Sequence, residues 1–182
     1  MNERLDKQMD FIREIDKEKF ITRMTKLTDG KRRENDAEHA WHMAIMTILL
    51  SEYANEKIDV LRTVTMLLIH DLVEIDAGDT YAYDEEGKKT QEAREKKAAD
   101  RIYNLLPADQ AKKLYDIWLE FEAKEKPMML TASTGGFDWK DRGVRAEQVM
   151  KRNEITPEGS KTLWDYAYDN FLKPNIENGN LQ

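Results

Sequence analysis

The 182-residue sequence contains no cysteine and only three histidines. The lack of cysteine excludes disulfide bonds and thiolate zinc sites, and it suits a reducing compartment. Long apolar runs are also missing: the longest, residues 40–50, contains His42 and Thr47. Such a stretch is too short to span a bilayer and predicts a buried helix, so we expect no membrane association.

Acidic residues outnumber basic ones, which gives a formal net charge of −7. An acidic surface argues against binding of a nucleic-acid polymer, which usually needs a basic patch. A small phosphorylated substrate remains compatible, because a bound metal can reverse the local sign of the charge. The first seven residues are rich in charge and do not resemble a secretory signal, so we expect a cytoplasmic protein.

The spacing of apolar residues predicts one all-α domain over residues 1–182, a compact bundle of six or seven helices. Asn35 and Glu38 resemble a capping box, and the helix that follows is apolar around most of its circumference, which indicates a central place in the core. The last residues, 175–182, are expected to fray. Predicted helices cover about residues 3–27, 35–54, 59–75 and 88–106, with three more that begin near residues 107, 144 and 156.

The third predicted helix carries charge inside an apolar run. His70, Asp71 and Glu74 fall within four positions of one another, on a stripe that lies beside an apolar one. Both stripes are buried only if the polar one lines a cavity. Since an isolated buried carboxylate is strongly unfavourable, we expect a metal or another cation beside this stripe.

His39, His70 and Asp71 are the candidate metal ligands. A single histidine in a core is more often a hydrogen-bonded structural residue. Two imidazoles and a carboxylate together, however, suit Mn, Fe, Co, Ni or Zn, and suit Mg less well. His42 follows His39 by three residues instead of the four of the zincin motif, so we interpret it as a residue that supports a ligand or the structure.

Two acidic residues and a basic cluster are further candidates. Glu74 lies one turn after His70 and is able to orient a water molecule or accept its proton; the alternative is a carboxylate in solvent. Gly78 lets the chain bend before Asp79, whose alternative is a simple turn residue. Residues 31–33 are basic, and either form a solvated loop, the simpler interpretation, or contact a phosphate.

Two parts of the sequence resemble the HD-domain metal-dependent phosphohydrolase superfamily, most closely its branch of 5′-nucleotidases that act on (deoxy)nucleoside monophosphates. The pattern covers about residues 20–80, and residues 143–153 are similar to the C-terminal part of one subgroup. The two parts are Ala37-Glu38-His39, and the run from His70-Asp71-Leu72 through Glu74 to Gly78-Asp79.

The resemblance implies an all-α HD fold, usually a homodimer, and a divalent metal (Mn, Co, Fe, Ni, Zn or Mg). His39, His70 and Asp71 match the family's metal ligands. Glu74 and Asp79 match acidic residues around the nucleophilic water and the substrate sugar. The implied reaction is hydrolysis of a phosphomonoester, with a small-molecule nucleotide as substrate and a nucleoside and inorganic phosphate as products.

Three arginines are the substrate-binding candidates. Arg23, which is expected on the first helix, is similar to the family's phosphate-binding arginine. Arg32 and Arg33 in the basic cluster are further candidates. Two alternatives to phosphomonoester hydrolysis remain open: a pyrophosphohydrolase or phosphodiesterase of the same superfamily, and a non-catalytic sensor that binds a metal or a nucleotide.

The sequence departs from the family in one respect. The family has a fourth metal ligand, an aspartate on a later helix, whereas Glu125 here is followed directly by Lys126 and Pro127. About fifteen to twenty residues expected from ordinary helix–turn–helix lengths have no counterpart. Either the natural protein contains a stretch that this sequence omits, or the ligand has been lost, which would favour the sensor. We favour the omission, because a bundle cut there would have a large hole in its core.

Overall fold

The computed structural model describes residues 2–123, 139–140 and 143–181. Seven helices of at least seven residues form most of this part of the chain, and its only sheet has two strands. The predicted all-α fold is therefore confirmed. The helices are α1 Glu3–Ile15, α2 Asp36–Leu50, α3 Val60–Ile69, α4 Glu74–Ala77, α5 Glu85–Tyr103, α6 Ala108–Glu122, α7 Ala146–Arg152, α8 Thr156–Gly159, α9 Lys161–Ala167 and α10 Lys173–Glu177.

The prediction of a single helix over residues 3–27 is wrong beyond Ile15. A 3₁₀ helix follows over Asp16–Phe20, and strand β1, Thr22–Lys26, then pairs antiparallel with strand β2, Arg33–Asn35. Two threonines in β1 favour the extended conformation, and Gly30, with φ of +70°, allows the turn between the strands. Arg23 therefore lies on a strand and not on a helix.

The predicted cap of α2 is confirmed. The Asn35 side chain accepts a hydrogen bond from the Glu38 amide at 2.9 Å, and the Glu38 carboxylate accepts one from the Asn35 amide at 3.2 Å. Each residue satisfies a backbone donor that the helix start would otherwise leave unpaired. This cap fixes where α2 begins, three residues before His39.

The expectation that α2 is buried on most sides is wrong. Met43 and Ala44 are buried, whereas Trp41 and Leu49 are 63% and 64% exposed. Part of α2 packs against α3, and other apolar side chains of α2 are open to solvent. The spacing of apolar residues indicates which side of a helix favours burial. It does not show whether this chain or another molecule covers that side.

The predicted third helix, residues 59–75, is divided into three helical segments. Asp59 caps α3 by accepting a hydrogen bond from the Arg62 amide at 3.0 Å. After Ile69 the backbone tightens into a 3₁₀ segment, His70–Val73, before α4 begins. Tyr103 of α5 donates its hydroxyl hydrogen to the Ile69 carbonyl at 3.0 Å. Helix α5 thus supports the chain directly before His70.

The main hydrophobic core lies among α1, α3, the 3₁₀ segment after α3, α5 and α6. Tyr103 is the largest fully buried side chain, and its ring meets those of Tyr115 and Trp118. None of the described helices has the length and apolar character needed to cross a membrane. The buried core residues are Phe11, Met66, Ile69, Leu72, Val73, Ala98, Ala99, Ile102, Tyr103, Leu106, Ala111, Ile117 and Trp118.

A second hydrophobic cluster connects the loop before α5 to the C-terminal helices. Tyr83 and Trp164 pack against its buried members, which are Trp139, Val144, Val149, Leu172 and Leu181. The last residues were expected to fray, yet Leu181 is only 2% exposed and its amide donates to the Asn175 carbonyl at 2.9 Å. The place after Glu125 where the family's fourth ligand is expected lies outside the described residues.

Candidate metal centre

His39, His70 and Asp71 converge, as the sequence predicts. One ligand atom from each lies within 4.8 Å of the others, and the two imidazole centroids are 5.8 Å apart. His39 lies in the first turn of α2, and the other two residues lie in the 3₁₀ segment that follows α3. The packing of α2 on α3 therefore brings the two histidines together from distant parts of the sequence.

Neighbouring groups orient both imidazoles. Nδ1 of His70 lies 2.8 Å from the Leu67 carbonyl oxygen, which leaves Nε2 directed at Oδ2 of Asp71, 3.0 Å away. Nδ1 of His39 lies 3.5 Å from Oε1 of Glu34, and this carboxylate also accepts a hydrogen bond from the Thr25 hydroxyl at 2.7 Å. Carbonyl and carboxylate partners of this kind hold metal-binding histidines in one orientation.

A group of three carboxylates lies beside the cluster of His39, His70 and Asp71. Oxygen atoms of Asp36, Glu74 and Asp79 lie within 4.8 Å of one another. Glu74 and Asp79 are the predicted catalytic residues, and Gly78, with φ of +74°, makes the bend that brings Asp79 back. Asp36 is fully buried and is not among the site residues that the sequence predicts. Its position three residues before His39, on the same face of α2, was the available signal.

Arg23 is the central cation among these carboxylates. Its Nη1 donates to Oδ2 of Asp71 at 2.6 Å and to Oδ1 of Asp36 at 3.1 Å, and its Nη2 lies 4.0 Å from Asp79. The strand β1 supplies this side chain, and the backbone amide of Met24 donates to the Asp79 carboxylate at 3.2 Å. The two-stranded sheet, which was not predicted, therefore carries part of the site.

Carboxyl groups outnumber basic side chains in this region. Burial raises the pKa of Glu74 to about 11, and repulsion from Asp71 and Asp36 adds to the effect. Burial, with repulsion from Asp71, likewise raises the pKa of Asp36 to about 7. Burial opposes ionisation of Asp71 too, but His70 and Arg23 outweigh it and hold the pKa of Asp71 well below its usual range. The protein thus concentrates carboxylates that its own cations do not fully neutralise.

The donor set fits a divalent cation. Oδ2 of Asp36 and Oε2 of Glu74 are buried and have no hydrogen-bond partner. Unpartnered buried oxygens are costly unless a ligand or a proton completes them. Two imidazoles and a carboxylate, with these oxygens nearby, offer the mixture of nitrogen and oxygen ligands that first-row divalent metals accept.

The other predicted candidates lie outside both groups. Arg32 forms a bidentate ion pair with Glu38, with N–O distances of 2.7 and 2.8 Å. Arg33 is exposed, and its Nη1 lies 3.3 Å from the Met24 sulfur. His42 is exposed on α2, where its ring is 6.3 Å from that of Trp41. None of these three residues belongs to the two clusters of potential ligands found in the described residues.

The loop after α4 borders the site and is held by α5. Arg94 donates hydrogen bonds to the Ala77 carbonyl and, at 2.8 Å, to the Thr80 hydroxyl. Beyond Thr80 the rings of Tyr81 and Tyr83 meet edge to face with centroids 5.4 Å apart. The loop therefore connects Asp79 in the site to the C-terminal cluster against which Tyr83 packs.

Comparison with known proteins gives concordant matches. The model of the family described as "HD domain" matches residues 15–164. The 5'-deoxynucleotidase HDDC2 of Homo sapiens is 32% identical over 94 residues, which are 52% of this chain and 45% of that protein. HDDC2 of Dictyostelium discoideum is 31% identical over 94 residues, 49% of this chain and 50% of that protein. The chain thus spans about half the length of these curated relatives.

Two solved structures share the fold. A predicted metal-dependent phosphohydrolase from Magnetospirillum magnetotacticum MS-1 superposes with a TM-score of 0.88 and 44% identity, over 99% of both chains. A conserved hypothetical protein from Pyrococcus furiosus superposes with a TM-score of 0.52 and 23% identity, over 96% of this chain and 91% of that one. Because the Pyrococcus protein is only 23% identical, this match shows a shared fold and nothing about function.

Proposed function

Because the chain belongs to the HD domain family, we propose that it is a metal-dependent phosphohydrolase that removes the 5′-phosphate of (deoxy)nucleoside monophosphates. The observation that carries the proposal is the convergence of His39, His70 and Asp71 beside buried carboxylate oxygens that lack partners. The HDDC2 proteins, which are 5'-deoxynucleotidases, support the substrate class, and the Magnetospirillum protein supports the dependence on a metal.

In this proposal His39, His70 and Asp71 hold the metal. A bound divalent ion would supply positive charge that offsets the phosphate and lowers the pKa of water. The donor set is compatible with Mn, Co, Fe, Ni or Zn, and with Mg less well. The hydrogen bond from Nδ1 of His70 to the Leu67 carbonyl leaves Nε2, which faces Oδ2 of Asp71 at 3.0 Å, as the ring nitrogen that would bind a cation.

Glu74 orients the attacking water and accepts its proton in the proposed reaction. Its carboxylate is buried and one oxygen has no partner, so it is free to take a hydrogen bond from water. Added positive charge nearby would favour the ionised form that accepts a proton. Asp79, held by the Met24 amide at 3.2 Å, accepts a hydrogen bond from a sugar hydroxyl.

Arginine side chains bind the substrate in the proposed reaction. Arg23 lies inside the carboxylate group and is the best placed of the three predicted arginines. Arg32 is already paired with Glu38, and Arg33 is exposed with its Nη1 near the Met24 sulfur. We assign them a lesser role at the rim.

We also propose a cytoplasmic homodimer that buries the exposed apolar face of α2 and α3. Trp41 is 63% exposed on α2 and Leu61 is 78% exposed on α3, and these two helices pack side by side. A large exposed apolar surface on a folded protein usually marks an interface. A second copy of the chain presents the same surface, so twofold pairing would cover both at once. The surface consists of Trp41, Ile45, Ile48, Leu49, Leu61 and Leu68.

Phosphate release from a panel of nucleoside monophosphates tests the activity. The protein is loaded with Mn or Co, and His70→Ala and Asp71→Asn are compared with His42→Ala, whose side chain is exposed and outside the clusters. We expect His70→Ala and Asp71→Asn to contain less bound metal than the parent protein, as measured by elemental analysis. Their rate of phosphate release should fall at least about 100-fold, because the metal supplies most of the rate enhancement in metal-dependent hydrolysis. Equal rates in all four proteins would refute the proposal.

A further inference from the structure

His70 lies where the regular helix is interrupted. Helix α3 ends at Ile69, and the chain continues as the 3₁₀ segment His70–Val73. Hydrogen bonds in a 3₁₀ segment have poorer geometry than those of an α-helix, so the backbone gives this side chain weaker support. A metal ligand, however, needs to be held close to its binding geometry by packing and hydrogen bonds around it. The groups that contact the His70 imidazole therefore matter for the proposed metal centre.

Hydrogen bonding fixes only part of the orientation of this imidazole. Nδ1 of His70 lies 2.8 Å from the Leu67 carbonyl oxygen, which sets the direction of that ring nitrogen. The plane of the ring is still able to turn about the line that joins the nitrogen to the oxygen. Asp71, whose Oδ2 lies 3.0 Å from Nε2, is itself a candidate ligand and does not restrain the ring independently of the metal. Packing must therefore fix the plane.

Phe121, in the last turn of α6, supplies this packing. Its ring centroid lies 4.7 Å from that of the His70 imidazole, and the two planes are inclined by 54°. This separation is within the range in which aromatic rings attract each other, and it is shorter than the 5.8 Å between the imidazoles of His70 and His39. Phe121 is half-buried and packs against the main hydrophobic core, and α6 packs against α3. Two helices of the core therefore set this contact.

We propose that Phe121 is a positioning residue for the metal centre, because its ring restricts rotation of the His70 imidazole and keeps Nε2 facing the site. The ligand class is a divalent first-row cation, and this inference rests on the proposed function. Phe121 acts through His70 and takes no part in the chemistry. An aliphatic side chain at this position would occupy similar space but present no flat face to the imidazole. A less restricted imidazole loses more conformational freedom when it binds a cation, so the affinity falls.

The test measures the dissociation constant of Mn²⁺ by calorimetry in the parent protein and in three variants. Phe121→Leu removes the ring, Phe121→Tyr keeps a ring, and Phe11→Leu makes the same loss elsewhere in the main core, where Phe11 is 7% exposed. Phe121→Leu should raise the dissociation constant about tenfold, which is the lower end of the effect of removing a group that orients a metal ligand. Phe121→Tyr should recover most of this loss, and Phe11→Leu should match the parent.

Urea unfolding without metal separates a loss of stability from a loss of positioning. Phe11→Leu should destabilise the metal-free protein at least as much as Phe121→Leu, because Phe11 is the more buried side chain. Equal weakening of Mn²⁺ binding by these two variants, parent-like binding by Phe121→Leu, or no Mn²⁺ binding by the parent protein would each overturn the inference. If Phe121→Leu alone weakens Mn²⁺ binding while no nucleotide is hydrolysed, the inference stands and only the proposed activity fails. Phe121→Met replaces Phe121→Leu if circular dichroism shows the latter to be unfolded.

Discussion

Replacement of Arg23 by glutamine should destabilise the protein strongly, because Arg23 is the cation nearest to two buried carboxylates. Its side chain is 17% exposed, and those of its partners Asp36 and Asp71 are 0% and 9% exposed. Removing one partner from a buried ion pair leaves an uncompensated charge and typically costs about 3–5 kcal/mol. We expect Arg23→Gln to lower the free energy of unfolding by about this amount at pH 8, in the presence of a chelator.

The loss of stability caused by Arg23→Gln should increase as the pH rises. The pKa of Asp36 is already raised to about 7 in the folded protein, and loss of Arg23 raises it further. A carboxyl whose folded pKa exceeds its unfolded value binds more protons when folded, so stability falls as pH rises. At pH 5.5 Asp36 is already protonated in the parent protein, so the variant loses less there. At pH 8, one unit above the parent pKa of Asp36, this shift adds no more than about 1.4 kcal/mol to the cost.

Urea unfolding at pH 5.5 and pH 8 measures both effects. Arg101→Gln is the matched control, because Arg101 also contacts two carboxylates, Glu14 at 2.6 Å and Asp76 at 2.8 Å, but is 43% exposed. An exposed pair contributes about 1 kcal/mol or less, so the control should lose no more than that. A cost for Arg23→Gln below about 1 kcal/mol at pH 8, or one that does not grow with pH, would refute this account of the site.

Two further changes test the support of the site and the proposed dimer. Tyr103→Phe removes the hydrogen bond to the Ile69 carbonyl and should cost about 1–2 kcal/mol in urea unfolding; a cost indistinguishable from zero would show that this bond does not hold the end of α3. Ile48→Glu, at a position 53% exposed on α2, should convert the dimer to a monomer in sedimentation velocity, and should change monomer stability by less than about 0.5 kcal/mol. Leu5→Glu, 50% exposed on α1, should leave the mass unchanged, and a monomeric parent protein would refute the dimer.

The convergence of His39, His70 and Asp71 could be predicted because local rules fix most of it. The cap at Asn35 sets the start of α2, and helical spacing sets which face carries His39. His70 and Asp71 are adjacent in sequence, so only the packing of two apolar helices was left to be inferred. The family resemblance supplied that packing, and the structure packs α2 against α3 and brings the three side chains together.

The position of Arg23 could not be predicted, because it depends on pairing between distant strands. Residues 22–26 are too few for a clear alternating pattern, and β1 is stabilised by β2 and by the Met24 amide contact with Asp79. Such strands form because tertiary contacts outweigh weak local preferences. The burial of Asp36 was missed for a related reason, since only the fold shows that Arg23 and Asp71 meet it.

The excess of carboxylates also explains why metal binding and stability should be linked in this protein. Asp36 and Glu74 are buried with raised pKa values and with one oxygen each unpartnered, so the arrangement opposes folding when no cation is added. A ligand that binds only the folded state stabilises it by an amount that grows with its concentration over the dissociation constant. A divalent cation would relieve the repulsion among Asp71, Asp36 and Glu74 as it binds. If a cation binds there as proposed, the residues that weaken the metal-free fold are the same ones that would hold the ion.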